Sequence, residues 1–104
     1  MLNSKQRAYL RAMANPLEPL LQVGKDGINE HTLRHISEAL EKRELIKCRV
    51  LETSPQSSRE VADTVAEAVG ADVVQVIGYR FILYKPAKNA ENRKIVLPNK
   101  KSKK

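Results

Sequence analysis

Apolar positions recur along this chain in two rhythms. Near the start, Tyr9, Leu10, Met13 and Ala14 fall on one face when successive residues are set about 100° apart, which predicts an amphipathic helix. Asn3 or Ser4 can cap it, and Asn3 with Gln6 matches a capping box. Pro16 ends it, because the residue before a proline avoids the helical region. Arg7 and Arg11 then lie side by side on the flank of the apolar face. The same spacing returns in Leu33, Ile36 and Leu40 after a cap at Asn29, where Ile28 and Leu33 fit a hydrophobic staple. It returns again in Val61, Val65, Ala68 and Val69. Ser57 and Glu60 form a capping box before that third helix, and Gly70 stops it.

Between the helices the rhythm shortens. Leu20-Leu21-Gln22-Val23 is a short run stopped by Gly24, read as a strand. From Leu45 to Leu51 the pattern alternates: Ile46, Cys48 and Val50 face one way, Lys47 and Arg49 the other. Val73 to Ile77 is rich in β-branched residues, Gly78-Tyr79 makes a turn, and Arg80 to Tyr84 returns as the last strand. The predicted order is αβαβαββ. It gives an α/β fold of the α+β type, with three helices and a four-stranded mixed sheet. One sheet face is apolar throughout. The other carries Gln22, Lys47, Arg49 and Gln75 among Leu and Val, so it is expected to be only partly covered.

Residues 1–86 are therefore read as one domain, consistent with a chain of 104 residues. Residues 87–98 read as a mobile linker ending in a small apolar patch, Ile95-Val96-Leu97-Pro98, that can dock. Residues 99–104 read as a disordered basic tail. A site built between two lobes is not expected at this length.

Charge sharpens the picture. The formal net charge is +7, and residues 85–104 hold eight basic residues against Glu91 alone, which is the whole surplus. Residues 1–25 carry Lys5, Arg7, Arg11 and Lys25 against Glu18, and residues 26–84 are mildly acidic. Basic ends hold phosphates by Coulomb attraction and counterion release. The single Cys48 excludes an intrachain disulfide and favours a reducing compartment. With no signal-like start and no stretch long enough to cross a bilayer, the expectation is a soluble cytoplasmic protein without a membrane partner.

Candidate chemistry is sparse. Gly24-Lys25-Asp26-Gly27 is a Gly-x-x-Gly loop between a strand and a helix N-terminus. Glycine permits a close backbone approach, and the helix end adds partial positive charge toward a phosphate. KH domains use such a loop to clamp backbone nucleotides. Lys25 adds a full charge and Asp26 partly cancels it. The basic pairs Arg7/Arg11 and Lys47/Arg49 are further candidates for phosphate contact, equally readable as solvated charges. With Lys25, the two arginines are expected to form one surface around the loop. His31 and His35 stand at i, i+4, but no third metal ligand is suggested, and no nucleophile has a His and carboxylate companion. Neither a metal, another cofactor nor a catalytic residue is predicted. Aromatic residues are too few for a sheet that reads single strands by stacking, and no RRM motif is present.

Several segments, taken in order, resemble the CRM domain, the YhbY-like family of RNA-binding proteins. They are Lys5-Gln6-Arg7 with Leu10, Asn15-Pro16-Leu17 with Pro19, and Val23-Gly24-Lys25-Asp26-Gly27. Glu44-Leu45-Ile46-Lys47, Gln75-Val76-Ile77-Gly78, Leu83-Tyr84-Lys85-Pro86 and Ile95-Val96-Leu97-Pro98 follow. The length matches the stand-alone bacterial form. The resemblance implies a fold like the C-terminal domain of a translation initiation factor. It also implies binding to structured RNA, ribosomal RNA of large-subunit precursors. With the loop and the basic flanks, the expectation is a non-enzymatic RNA-binding protein, a monomer, that assists ribosome assembly. RNA contact through the loop carries over to Gly24, Lys25, Asp26 and Gly27. Two other classes remain open: an adaptor whose acidic middle docks a protein, and a metal-dependent hydrolase using His31 and His35.

Overall fold

Each helix begins where a polar side chain replaces a missing backbone partner. Asn3 Oδ1 accepts the Gln6 N–H at 2.7 Å, and Gln6 Oε1 accepts the Asn3 N–H in return. Ser57 and Glu60 make the same reciprocal pair, and Asn29 Oδ1 accepts the Thr32 N–H at 2.9 Å. In this computed structural model, which describes residues 2–97, the elements are α1 (Ser4–Ala14), β1 (Leu21–Val23), α2 (Glu30–Arg43), β2 (Leu45–Val50), α3 (Ser58–Val69), β3 (Asp72–Ile77) and β4 (Arg80–Tyr84). A single 3₁₀ turn follows at Ala90–Asn92. The expected order αβαβαββ is the observed one.

The strands form one mixed sheet in the order β1-β2-β4-β3, with β1 parallel to β2 and the other pairs antiparallel. On one face Ile46, Cys48, Val50, Phe81 and Leu83 are buried with Ile36 and Leu40 of α2 and Val61 and Val65 of α3. Burial in that core pushes the Cys48 thiol up to about 12, so it stays protonated and inert at neutral pH. On the other face Leu10 and Ala14 of α1 pack with Leu45, Val74, Ile82 and Tyr84. A register shift between Val73 and Gln75 permits this division, since Val74 joins the α1 side while Val73 and Val76 join the larger core.

The buried stripe of α1 is narrower than its periodicity suggests. Leu10 and Ala14 are fully buried, whereas Tyr9 and Met13 remain 41% and 38% exposed. A lone helix lying on a sheet contacts it along one seam, and flanking positions stay near solvent.

The two ends of the sheet differ. Where β2 starts, the segment after β4 is tied down by carboxylates. Glu44 is buried and takes the left-handed conformation, φ 65°, that closes α2. Its carboxylate accepts N–H bonds from Ala87, Lys94 and Ile95 at 2.6–2.9 Å. Glu41 accepts from the N–H groups of Lys88 and Asn89 and from Asn92 Nδ2. Residues 87–94, read above as a mobile linker, are thus hydrogen-bonded to α2. The reason is long-range: Glu41 in the last turn of α2 and Glu44 at its C-cap supply acceptors for backbone that pairs with no strand. Ile95 and Leu97 pack on the α1 core while Val96 is exposed. Pro98 and the basic tail 99–104 lie outside the described residues.

Candidate nucleic-acid interface

The opposite end of the sheet gathers three connections: the Gly24–Gly27 loop after β1, the 51–57 loop after β2, and the Gly78-Tyr79 turn between β3 and β4. The Gly27 N–H donates to the Gly24 carbonyl at 2.9 Å, closing the loop as a tight turn. Gly27 has φ +67°, a left-handed value that side chains disfavour. A Cβ at Gly24 would stand 3.3 Å from Leu51 Cδ1, a contact that Leu51 must yield to accommodate. Lys25 and Asp26, between them, are exposed. The loop runs into the N-terminus of α2, and α3 begins at the same end of the sheet. Two positive helix ends therefore face this side.

On the half of the sheet that α1 leaves open, strand pairing builds a polar row. Gln22 pairs with Arg49, Arg49 with Arg80, and Arg80 with Ile77. All four are exposed. Like charges directly opposite on neighbouring strands repel, and an anion placed between them removes that repulsion. Arg80 was not a candidate from the sequence. Its alternation with Ile82 and Tyr84 was visible, but only the strand order sets it beside Arg49.

The other predicted residues divide into sets. Lys47 is half-buried under the end of α1, with Nζ 3.5 Å from the Asn15 carbonyl. Arg7 lines a cleft with Arg59 and the outer edge of β3 at Val73–Val76. Its Nε is buried without a hydrogen-bond partner among the described residues. Arg11, one turn on, and Lys5 are exposed. The expected single surface around the loop is not what forms. Arg7 lies over β3 and Lys25 follows β1, and these are opposite edges of the sheet. About three strand spacings of roughly 4.8 Å separate them. Arg49 and Arg80 occupy the strands between.

At the Glu44 end, Glu44, Glu41, Lys85 and Arg93 bond the chain's own backbone. Burial pushes the Glu44 carboxyl up, but the N–H bonds from Ala87, Lys94 and Ile95, with the Arg93 charge, hold it below its ordinary value. The N–H groups of Asn89 and Lys88 likewise lower Glu41. Lys85 Nζ donates to the Val69 carbonyl at 2.8 Å, where α3 ends. Arg93 Nε donates to the Ala87 carbonyl. The surplus charge read on residues 85–104 is therefore partly internal. Glu44 had stood in the sequence only as the residue leading β2.

His31 and His35 share a shallow exposed surface with Arg34 and Glu38. Among the described residues no three His, Cys, Asp or Glu side chains come together to hold a metal ion. No helix there is long and apolar enough to cross a membrane.

Comparison with known proteins gives the family and the fold. Residues 2–85 match the family model described as the CRS1 / YhbY (CRM) domain. A Bacillus subtilis (strain 168) protein named "Probable RNA-binding protein YqeI" is 43% identical over 98 residues, 94% of this chain and 100% of its own length. A Haemophilus influenzae protein named "RNA-binding protein" is 33% identical over 95% of this chain and 97% of its own. The solution structure of protein SAV1595 from Staphylococcus aureus superposes with a TM-score of 0.75 at 41% identity, covering 94% of this chain and all of that one.

Proposed function

This chain belongs to the CRS1/YhbY (CRM) domain family, and from that premise we propose that it is a non-enzymatic cytoplasmic protein that binds structured RNA as a monomer. Its RNA is ribosomal RNA in precursors of the large subunit, and its role is to assist their assembly. The RNA part rests on the names its relatives carry and on one observation above all. The open end of the sheet sets the Gly24–Gly27 loop beside the exposed Arg49/Arg80 pair, and the Glu41 and Glu44 carboxylates are occupied elsewhere. The ribosomal part rests on the family resemblance of the sequence.

In this reading the loop backbone and Lys25 hold one stretch of phosphates. Arg49 and Arg80 hold a second, and Arg7 with Arg11 extends contact along α1. Such contacts fix position and make affinity salt-dependent without reading bases. Sedimentation of cell extract through a sucrose gradient at moderate salt tests the assignment. The protein is expected in large-subunit precursor fractions. Its absence from every subunit and pre-subunit fraction contradicts the ribosomal role.

A further inference from the structure

Phosphate contacts leave open how one RNA is told from another. A cleft of about 290 Å³ lies at the same end of the sheet, between Tyr79 and the loop joining β2 to α3. That volume is at the small end of the range for ligand sites. Tyr79 is 56% exposed, the most exposed aromatic side chain of the chain. Its backbone is fixed, because its carbonyl accepts the Val50 N–H at 2.6 Å and the turn is closed by the Ile77–Arg80 pair. The opposite wall is preformed too: Ser54 Oγ donates to the Gln56 carbonyl at 2.9 Å and accepts the Gln56 N–H. Pro55 in this wall lies next to Gly27, within 3.6 Å of where a Cβ on that glycine would stand. Cleft and phosphate loop are contiguous.

We propose that this cleft takes one unpaired nucleobase of the bound RNA, stacked on the Tyr79 ring. The inference rests on the RNA-binding reading and gives it a substrate class: structured RNA with an unpaired nucleotide beside the clamped backbone. Glu52 decides what enters. Its exposed carboxylate lines the cleft and repels a phosphate, while it accepts hydrogen bonds from base N–H groups such as the cytosine amino group. The base therefore goes in, and its phosphates stay with the loop and Arg80.

The test uses the full chain and two RNA hairpins with the same stem closed by a non-nucleotide linker, one fully paired, one with a single bulged nucleotide. Tyr79→Ala is expected to lose about tenfold in affinity for the bulged hairpin, as removal of a base-stacking aromatic does. Tyr79→Phe is expected to bind it like the parent, and both variants to bind the paired hairpin unchanged. Thermal melts of the variants should match the parent, since the side chain is exposed. Equal binding of the bulged hairpin by parent and Tyr79→Ala overturns the proposal while leaving the RNA reading intact. So does an equal loss on both hairpins. A parent protein that binds neither hairpin removes the RNA reading itself, and this proposal with it.

Discussion

The two ends of the sheet both carry charged groups and use several of them in opposite ways. At the Glu44 end, four ionic groups are spent on the chain's own backbone: Glu44 and Glu41 on N–H groups, Lys85 and Arg93 on carbonyls. At the loop end, Lys25, Arg49 and Arg80 stand exposed. The contrast shows why net charge is a poor guide to where a partner binds. What matters is which charges the fold has left without an internal task.

The largest effect should come from breaking the first end. Glu44→Ala removes the acceptor of three backbone N–H groups at a buried site and keeps a disfavoured left-handed residue. It should destabilise the domain by about 2–4 kcal/mol in urea unfolding, from the cost of orphaned buried donors. RNA affinity of the folded fraction should change little. Unaltered stability would mean that these bonds are not made in solution.

Next come the charges of the open end. Arg49→Gln/Arg80→Gln should bind structured RNA roughly tenfold more weakly at low salt and flatten the salt dependence by about 1.4–1.8 in log–log slope, for two lost phosphate contacts. Stability should hold or rise slightly, because a like-charge pair is relieved. The same experiment on Arg7→Ala/Arg11→Ala tests whether α1 belongs to the surface.

Gly27→Ala should touch both properties. At φ +67° an added side chain costs about 1–2 kcal/mol. Loop distortion should also weaken RNA binding, whereas Lys25→Ala should weaken binding with no loss of stability.

The pH dependence is smaller and has a definite sign. Glu44 and Glu41 titrate below their ordinary 4.5 in the folded protein. Their stabilisation is complete above that value and is lost as pH falls through the lowered folded values. Urea midpoints should be flat from neutral pH to about 5 on this account and then decline. The decline should be shallower in Glu44→Gln. An equal decline in that variant would assign the acid sensitivity to other groups.

Much of the fold was legible because its signals are local. The caps at Asn3, Asn29 and Ser57 and the alternation of Ile46, Cys48 and Val50 each follow from neighbours a few residues apart. The Gly24–Gly27 loop was legible for the same reason. What stayed hidden depends on contacts between distant segments. Glu44 reaches Ile95, 51 positions on. Arg49 meets Arg80 only once β4 is known to lie between β2 and β3. The separation of Arg7 from Lys25 follows from the same strand order, which no spacing along the chain reveals.

The measurement that bears most directly on the contrast is residue-resolved NMR of the labelled protein as a structured ribosomal RNA fragment is added. The amides of Gly24, Lys25, Gly27, Arg49, Tyr79 and Arg80 are expected to shift together, while those of Ala87, Lys94 and Ile95 stay in place. Shifts concentrated on Ala87, Lys94 and Ile95, with the Gly24–Gly27 loop unmoved, would contradict the account.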